Sequence, residues 1–308
     1  MIPPALAPDY AHCTAIARGH YENFPVASLL IPARLRPHVC AVYAFARRAD
    51  DFADEARFEG RRLERLRGWE EQFLAALNGV GPGPSGVSRN PVLRAAAHTA
   101  SVFDLPAALF LDLLSAFRQD VTVRRYATFA DLLDYCRRSA DPVGRLVLRL
   151  FGYRDAELDR LSDAICSALQ LANFWQDVAV DAAKGRIYLP VEDLHRFGVS
   201  ADAVLAGGAL DEAAMERFRD LLGFRIARTR ALFQDGKPLC QRVGGRLGME
   251  LKAVWLGGMA ILDGIEAVDC DVFRRRPAHT SAARLRMAAR VLVPGGFRRA
   301  YAGGAAHD

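Results

Sequence analysis

Asp177 and Asp181 stand four residues apart in Asn173-Phe-Trp-Gln-Asp-Val-Ala-Val-Asp181. That spacing stacks two carboxylates on one face of a helix, with Asn173 and Gln170 one and two turns before Asp177 on the same face. Like charges in this register oppose each other, so a cation is expected between them. Just downstream, Lys184, Arg186 and Tyr188 offer donors to an anion, and Gly185 ends the helix. The pattern recurs at Asp50 and Asp54, with Arg47 almost one turn before Asp50. Two such helices predict carboxylates facing one another across a cavity. Hard oxygen ligands of this kind suit Mg2+, which keeps several waters and completes its shell with phosphate oxygens. A pair of solvated acidic faces is the plainer alternative. The repetition, with Arg or Lys beside each ladder, argues against it.

The elements that must carry these residues read as helices throughout. A short helix over 9–20 leads to a segment interrupted by Pro25. Pro37 sits in the permissive first turn of a long helix that reaches about Glu55. An amphipathic helix over 59–78 turns Leu63, Leu66, Phe73, Leu74 and Leu77 to the core. Residues 79–89, rich in Gly, Pro and Ser, form the clearest loop. Asn90-Pro91 caps and opens the next helix, and Pro106 opens another. Thr128 and Asp131 form a capping box for a helix that Asp141-Pro142 interrupts before Gly152. Residues 155–183 carry the second ladder as one helix, and 210–235 and 248–268 are two more. No strand-like alternation persists, and no phosphate-cradling glycine motif follows a strand. The fold class is therefore all-α, without a nucleotide-binding domain.

Length and composition fit that class. The chain has 308 residues, 51% of them hydrophobic, and a net charge of +5, which suits an anionic substrate or surface without requiring either. Six scattered cysteines with no Cys-x-x-Cys pair read as free thiols in a reducing compartment, and the histidines show no metal-ligand spacing. No secretory leader or membrane-spanning run is evident, so cytoplasm is the default. The helical domain is read as 1–271. Residues 272–308 add a basic helix and tail, with eight arginines and no acid before the terminal residue. Such a helix can touch anionic membrane peripherally; a solvated last helix packed on the bundle is the alternative. Without interleaved aromatics, nucleic-acid binding is not expected.

The two ladders, in this order and with these neighbours, resemble the squalene/phytoene synthase family. The resemblance covers the chain from Tyr21 to about Ile265. The family's aspartate motifs match Asp50-x-x-x-Asp54 and Asp177-x-x-x-Asp181, and Tyr43-Ala-Phe-Ala-Arg47 matches its approach to the first. Tyr135-Cys136 with Pro142-Val-Gly144 matches the segment of a cavity tyrosine. Glu22-Asn-Phe-Pro25, Asn173-Phe-Trp-Gln-Asp177 and Lys184-Gly-Arg-Ile-Tyr-Leu-Pro190 look like its hydroxysqualene synthase branch. Two positions depart: Asp141 stands where Asn is commoner, and Ala182-Ala183 where an aromatic is frequent.

The resemblance implies a helical bundle of the isoprenoid synthase type, single-domain, with a central substrate cavity. It implies Mg2+ at Asp50, Asp54, Asp177 and Asp181, without NADPH, and a prenyl diphosphate held by Arg47, Lys184, Arg186 and Tyr188. Tyr135, Asn173 and Gln170 are the polar candidates within the cavity, with core packing or helix-to-helix hydrogen bonding as the alternative. Asp51 and Glu55 either support the ligands or face solvent. Phe24, Phe45, Phe52, Phe174 and Trp175 are core by default, some of them lining a prenyl tunnel, and His20 is a core histidine or a diphosphate contact. The expected reaction converts presqualene diphosphate and water to hydroxysqualene. Head-to-head condensation to presqualene diphosphate, squalene or phytoene, and a non-catalytic assembly factor resembling the family, are the alternatives.

Overall fold

Caps and prolines set the boundaries as read. Asn90 Oδ1 accepts hydrogen bonds from the Val92 and Leu93 amides. Thr128 and Asp131 exchange reciprocal bonds ahead of Phe129. The computed structural model describes residues 2–19, 30–79, 88–207, 210–277 and Phe297. Glu22-Asn-Phe-Pro25, His20, most of the 79–89 loop and the basic helix beyond 277 lie outside them. The helices are α1 (Ala7–Gly19), α2 (Arg36–Asp54), α3 (Arg62–Leu77), α4 (Pro91–Val102), α5 (Ala107–Thr122), α6 (Phe129–Ser139) and α7 (Asp141–Leu150). They continue as α8 (Ala156–Gln176), α9 (Val178–Ala183), α10 (Val191–Phe197), α11 (Ala201–Leu205), α12 (Glu212–Gly236), α13 (Leu239–Arg242) and α14 (Gly245–Ala267). No strand occurs among the described residues, so the all-α reading holds. No helix among them is long and apolar enough to cross a membrane.

Two compact units emerge, 1–123 with 137–159 and 124–136 with 160–308, and the chain passes between them just after α5 and again within α6 and α8. The first is built around α2, which packs on α1, α3, α4, α5 and α7. Sequence explains why one helix can be enclosed on so many sides. Ala41, Ala44, Ala49 and Ala53 are buried, and small side chains allow helix axes to approach closely. Phe45 extends from the same helix into a fully buried cluster with Phe73 and Phe110, ring centroids 4.6 and 5.1 Å away. Leu63 departs from its expected core position and is 45% exposed. Trp69 is buried instead, its ring 5.9 Å from that of Phe45, so the inward face of α3 runs through Leu66, Trp69 and Phe73.

In the second unit two buried indoles tie α8, α12 and α14 together. Trp175 N–H donates to Thr229 Oγ1 at 2.8 Å, and Trp255 N–H donates to the Phe233 carbonyl at 2.6 Å. Each meets the requirement that a buried indole donor find an acceptor. Gly258 lets α14 press against α12, since a Cβ there would lie 2.3 Å from Phe233 Cζ. Arg225, 1% exposed, pairs with buried Asp193 of α10, and its guanidinium lies 4.3 Å from the Phe129 ring centroid. All six cysteines are free thiols, Cys166 alone being less than fully buried.

Candidate active site

The second ladder does not lie on one uninterrupted helix, which corrects the reading of 155–183. α8 ends at Gln176 and α9 begins at Val178, with Asp177 between them at φ −104°, ψ 17°. No proline or glycine stands there. The side chains of both junction residues are instead held by the 276–277 backbone segment and its arginine, as described below. The carboxylate register survives the break. Asp177 N–H donates to the Asn173 carbonyl and Asp181 N–H to that of Asp177, both at 2.9 Å, so main-chain bonding spans the junction at helical spacing.

After α9 the chain turns as expected at Gly185, which adopts φ +75°. Gly185 N–H donates to the Ala182 carbonyl and Arg186 N–H to that of Asp181, both at 2.9 Å. These bonds are the two halves of a Schellman cap, whose left-handed residue is ordinarily glycine. The turn leaves Lys184 exposed and carries Arg186 inward, where it is 8% exposed. The following extended segment is fastened to 124–129. Arg125 Nη1 donates to the Gly185 carbonyl at 2.8 Å, Ile187 N–H to that of Arg124 at 3.1 Å, and Val191 N–H to that of Tyr126 at 2.9 Å.

That fastening brings four aromatic rings together. Tyr188 stacks on Phe174 with centroids 3.7 Å apart and planes 8° from parallel. Tyr126 lies 5.8 Å from Tyr188, and buried Tyr135 lies 5.6 Å from Tyr126 and 6.2 Å from Tyr188. Tyr135 and Tyr188, widely spaced in sequence, thus share one cluster with Phe174. Sequence reasoning had not singled out Tyr126 or Arg125. Gln170 and Asn173 stand half-buried on α8.

Arg276 is a further residue missed from sequence. Its Nε donates to Asp177 Oδ1 at 2.7 Å and its Nη2 to Oδ2 at 3.2 Å. Gln176 Nε2 donates to the adjacent Pro277 carbonyl at 2.5 Å. The only signal in the sequence was membership of an arginine-rich stretch, with nothing to point any one arginine at the motif.

The first ladder lies at the end of α2 in the first unit. Asp54 is exposed and Asp50 half-buried. Arg47 reaches Asp50 at 3.4 Å and, more closely, Asp51 at 2.8 Å. Asp51, 6% exposed, is turned away from solvent, whereas Glu55 turns to Arg57. Burial with an ion-pair partner is the expected state for such a carboxylate.

The fold and its two aspartate motifs define an all-α isoprenoid synthase. The chain belongs to the squalene/phytoene synthase family, whose model matches residues 17–284. It is 40% identical over 247 residues to a hydroxysqualene synthase of Zymomonas mobilis, covering 77% of this chain and 76% of that one. A hydroxysqualene synthase of Rhodopseudomonas palustris is 36% identical over 236 residues, covering 76% and 75%. A phytoene synthase of Arthrospira platensis is 31% identical over 291 residues, 89% of each. Among solved structures, the squalene synthase HpnC of Alicyclobacillus acidocaldarius superposes with a TM-score of 0.79 at 43% identity, covering 87% of this chain and 97% of that one.

The donor set of the motifs fits Mg2+. Among the described residues no group of three or more His, Cys, Asp or Glu side chains is disposed to enclose a metal. The carboxylate oxygens of the two ladders are hard donors of the type that Mg2+ takes alongside water and phosphate oxygens.

Proposed function

We propose that the protein is a hydroxysqualene synthase, converting presqualene diphosphate and water to hydroxysqualene and diphosphate with Mg2+ held by Asp50, Asp54, Asp177 and Asp181. The observation that carries this reading is the ordering of the relatives. Over the aligned residues, hydroxysqualene synthases are 36% and 40% identical to the chain, against 31% to 34% for phytoene synthases of Arthrospira platensis, Mycobacterium tuberculosis and Cereibacter sphaeroides. Bound at the ladders, Mg2+ would supply the positive charge that stabilises a departing diphosphate. Lys184, Arg186 and Arg47 bind the diphosphate oxygens, and the cap at Gly185 orients the first two. When the carbon–oxygen bond breaks, its electron pair leaves on the diphosphate and a carbocation remains. The faces of Tyr135, Phe174 and Tyr188 suit it, because aromatic rings attract cations. Water captured by the cation forms the new carbon–oxygen bond and gives up a proton; Gln170, Asn173 or Tyr135 holds that water. The arginine-rich segment past 277 adds peripheral contact with anionic lipid.

The 31% identity to a phytoene synthase, extending over more of the chain, favours head-to-head condensation as a second reading. One experiment separates them. Purified protein given presqualene diphosphate and Mg2+ in 18O-water, without NADPH, yields an alcohol carrying the label by mass spectrometry. A product without solvent oxygen, or one formed only with NADPH, removes the hydroxysqualene assignment.

A further inference from the structure

A guanidinium already sits on a carboxylate assigned to a metal ion. Arg276 meets Asp177 with two roughly parallel N–H···O bonds, Nε to Oδ1 at 2.7 Å and Nη2 to Oδ2 at 3.2 Å. This is the fork geometry in which arginine engages both oxygens at once. The residues lie 99 apart in sequence, so tertiary structure and not helical proximity makes the pair. The backbone around Arg276 is anchored on both sides. Gln176 Nε2 binds the Pro277 carbonyl at 2.5 Å. Upstream, Arg275 N–H donates to the Asp271 carbonyl at 3.2 Å and Arg274 N–H to the Asp271 carboxylate at 3.3 Å.

We propose that Arg276 is an internal counter-ion of the second aspartate motif, which a divalent cation must displace from Asp177 in order to bind there. The inference rests on the reading that Asp177 takes a divalent cation. Its physical basis is competition for one anion. A doubly charged ion and a guanidinium on the same two oxygens would be separated by only a few ångström, where they repel. The pair is also placed to exchange, because the Arg276 side chain is 63% exposed and that of Asp177 26%. An ion pair so open to water is held weakly enough for an arriving cation to break it. In the cation-free protein Arg276 thus neutralises a carboxylate that would otherwise stand beside Asp181 uncompensated. The cost of displacing it sets how much cation is needed to load the motif.

The test is Mn2+ binding, followed by loss of the free-ion electron paramagnetic resonance signal, in the full-length protein without substrate. Mn2+ shares the oxygen preference of Mg2+. Arg276→Ala removes the competitor, so the dissociation constant falls about two- to fivefold, the scale of an exposed ion pair. Arg275→Ala removes an equal charge one residue away without touching Asp177, and gives distinctly less. In an Asp177→Asn background the Arg276→Ala effect disappears, as a double-mutant cycle of a direct contact requires. In the wild type, Mn2+ also accelerates amide exchange across 271–277. Equal or weaker Mn2+ binding by Arg276→Ala overturns the proposal, and so does a gain of the same size from Arg275→Ala. A different result identifies failure of the underlying reading: Asp177→Asn that binds Mn2+ like the wild type shows that Asp177 is not a cation ligand.

Discussion

Neighbouring aspartates on α2 divide the labour between chemistry and stability. Asp50 is half-buried beside Arg47, whereas Asp51 turns inward and is 6% exposed against the same arginine. Asp51→Ala strands a buried guanidinium edge and lowers stability by about 1–3 kcal/mol, measured by denaturant titration. Asp50→Ala and Asp177→Ala instead abolish product formation and change stability by less than about 1 kcal/mol, because their partners are solvent-accessible. Product formed at the wild-type rate by either of these two variants would remove the diphosphate-ionisation reading. The sequence placed Asp50 in the ladder but left Asp51 between supporting the ligands and facing solvent. Which of them faces inward depends on the helix's rotation against its neighbours, a tertiary fact.

Helices were legible where their ends are chemically marked. Asn90-Pro91, Thr128 with Asp131, and Gly185 act through main-chain groups within a few residues, so local sequence determines them. The break at Asp177 was hidden because no residue there disfavours helix, and the short α10, α11 and α13 lack enough turns to show periodicity. Leu63 misled because hydrophobic pattern alone cannot weigh a leucine against Trp69 one face away. Contacts between helices were equally invisible, among them that of α12 with α14 at Gly258. A Cβ added there would meet Phe233 Cζ at 2.3 Å and Leu169 Cδ2 at 2.9 Å. Phe233 is fully buried and has nowhere to swing. Gly258→Ala therefore costs about 1–3 kcal/mol by thermal or chemical denaturation, despite alanine's better helix propensity. A variant as stable as the wild type would show that the two helices separate freely.

For the molecule as a whole, acid sensitivity follows from a polar knot in the first unit. Tyr10 Oη lies 2.7 Å from His98 Nδ1, 2.8 Å from Thr99 Oγ1 and 3.2 Å from His38 Nδ1. Burial, then the neighbouring His98, lowers the pKa of His38 from 6.5 to about 4, and burial pushes Tyr10 up to about 12. The unfolded chain thus binds a proton at His38 that the folded one refuses. The contribution of this site is complete above pH 6.5 and falls away as pH drops towards about 4. Denaturation midpoints measured across that interval fall less steeply for His38→Gln than for the wild type; equal slopes would assign the acid sensitivity to other groups. The chain's path has a separate consequence. Leu146 and Leu150 of α7 complete the core that α2 organises, yet residues 124–136 belong to the other unit. During synthesis the amino-terminal helices therefore emerge with an apolar face uncovered, and a ribosome must add some thirty further residues before that face can close. The half-made first unit is the stage at which a chaperone has most to hold.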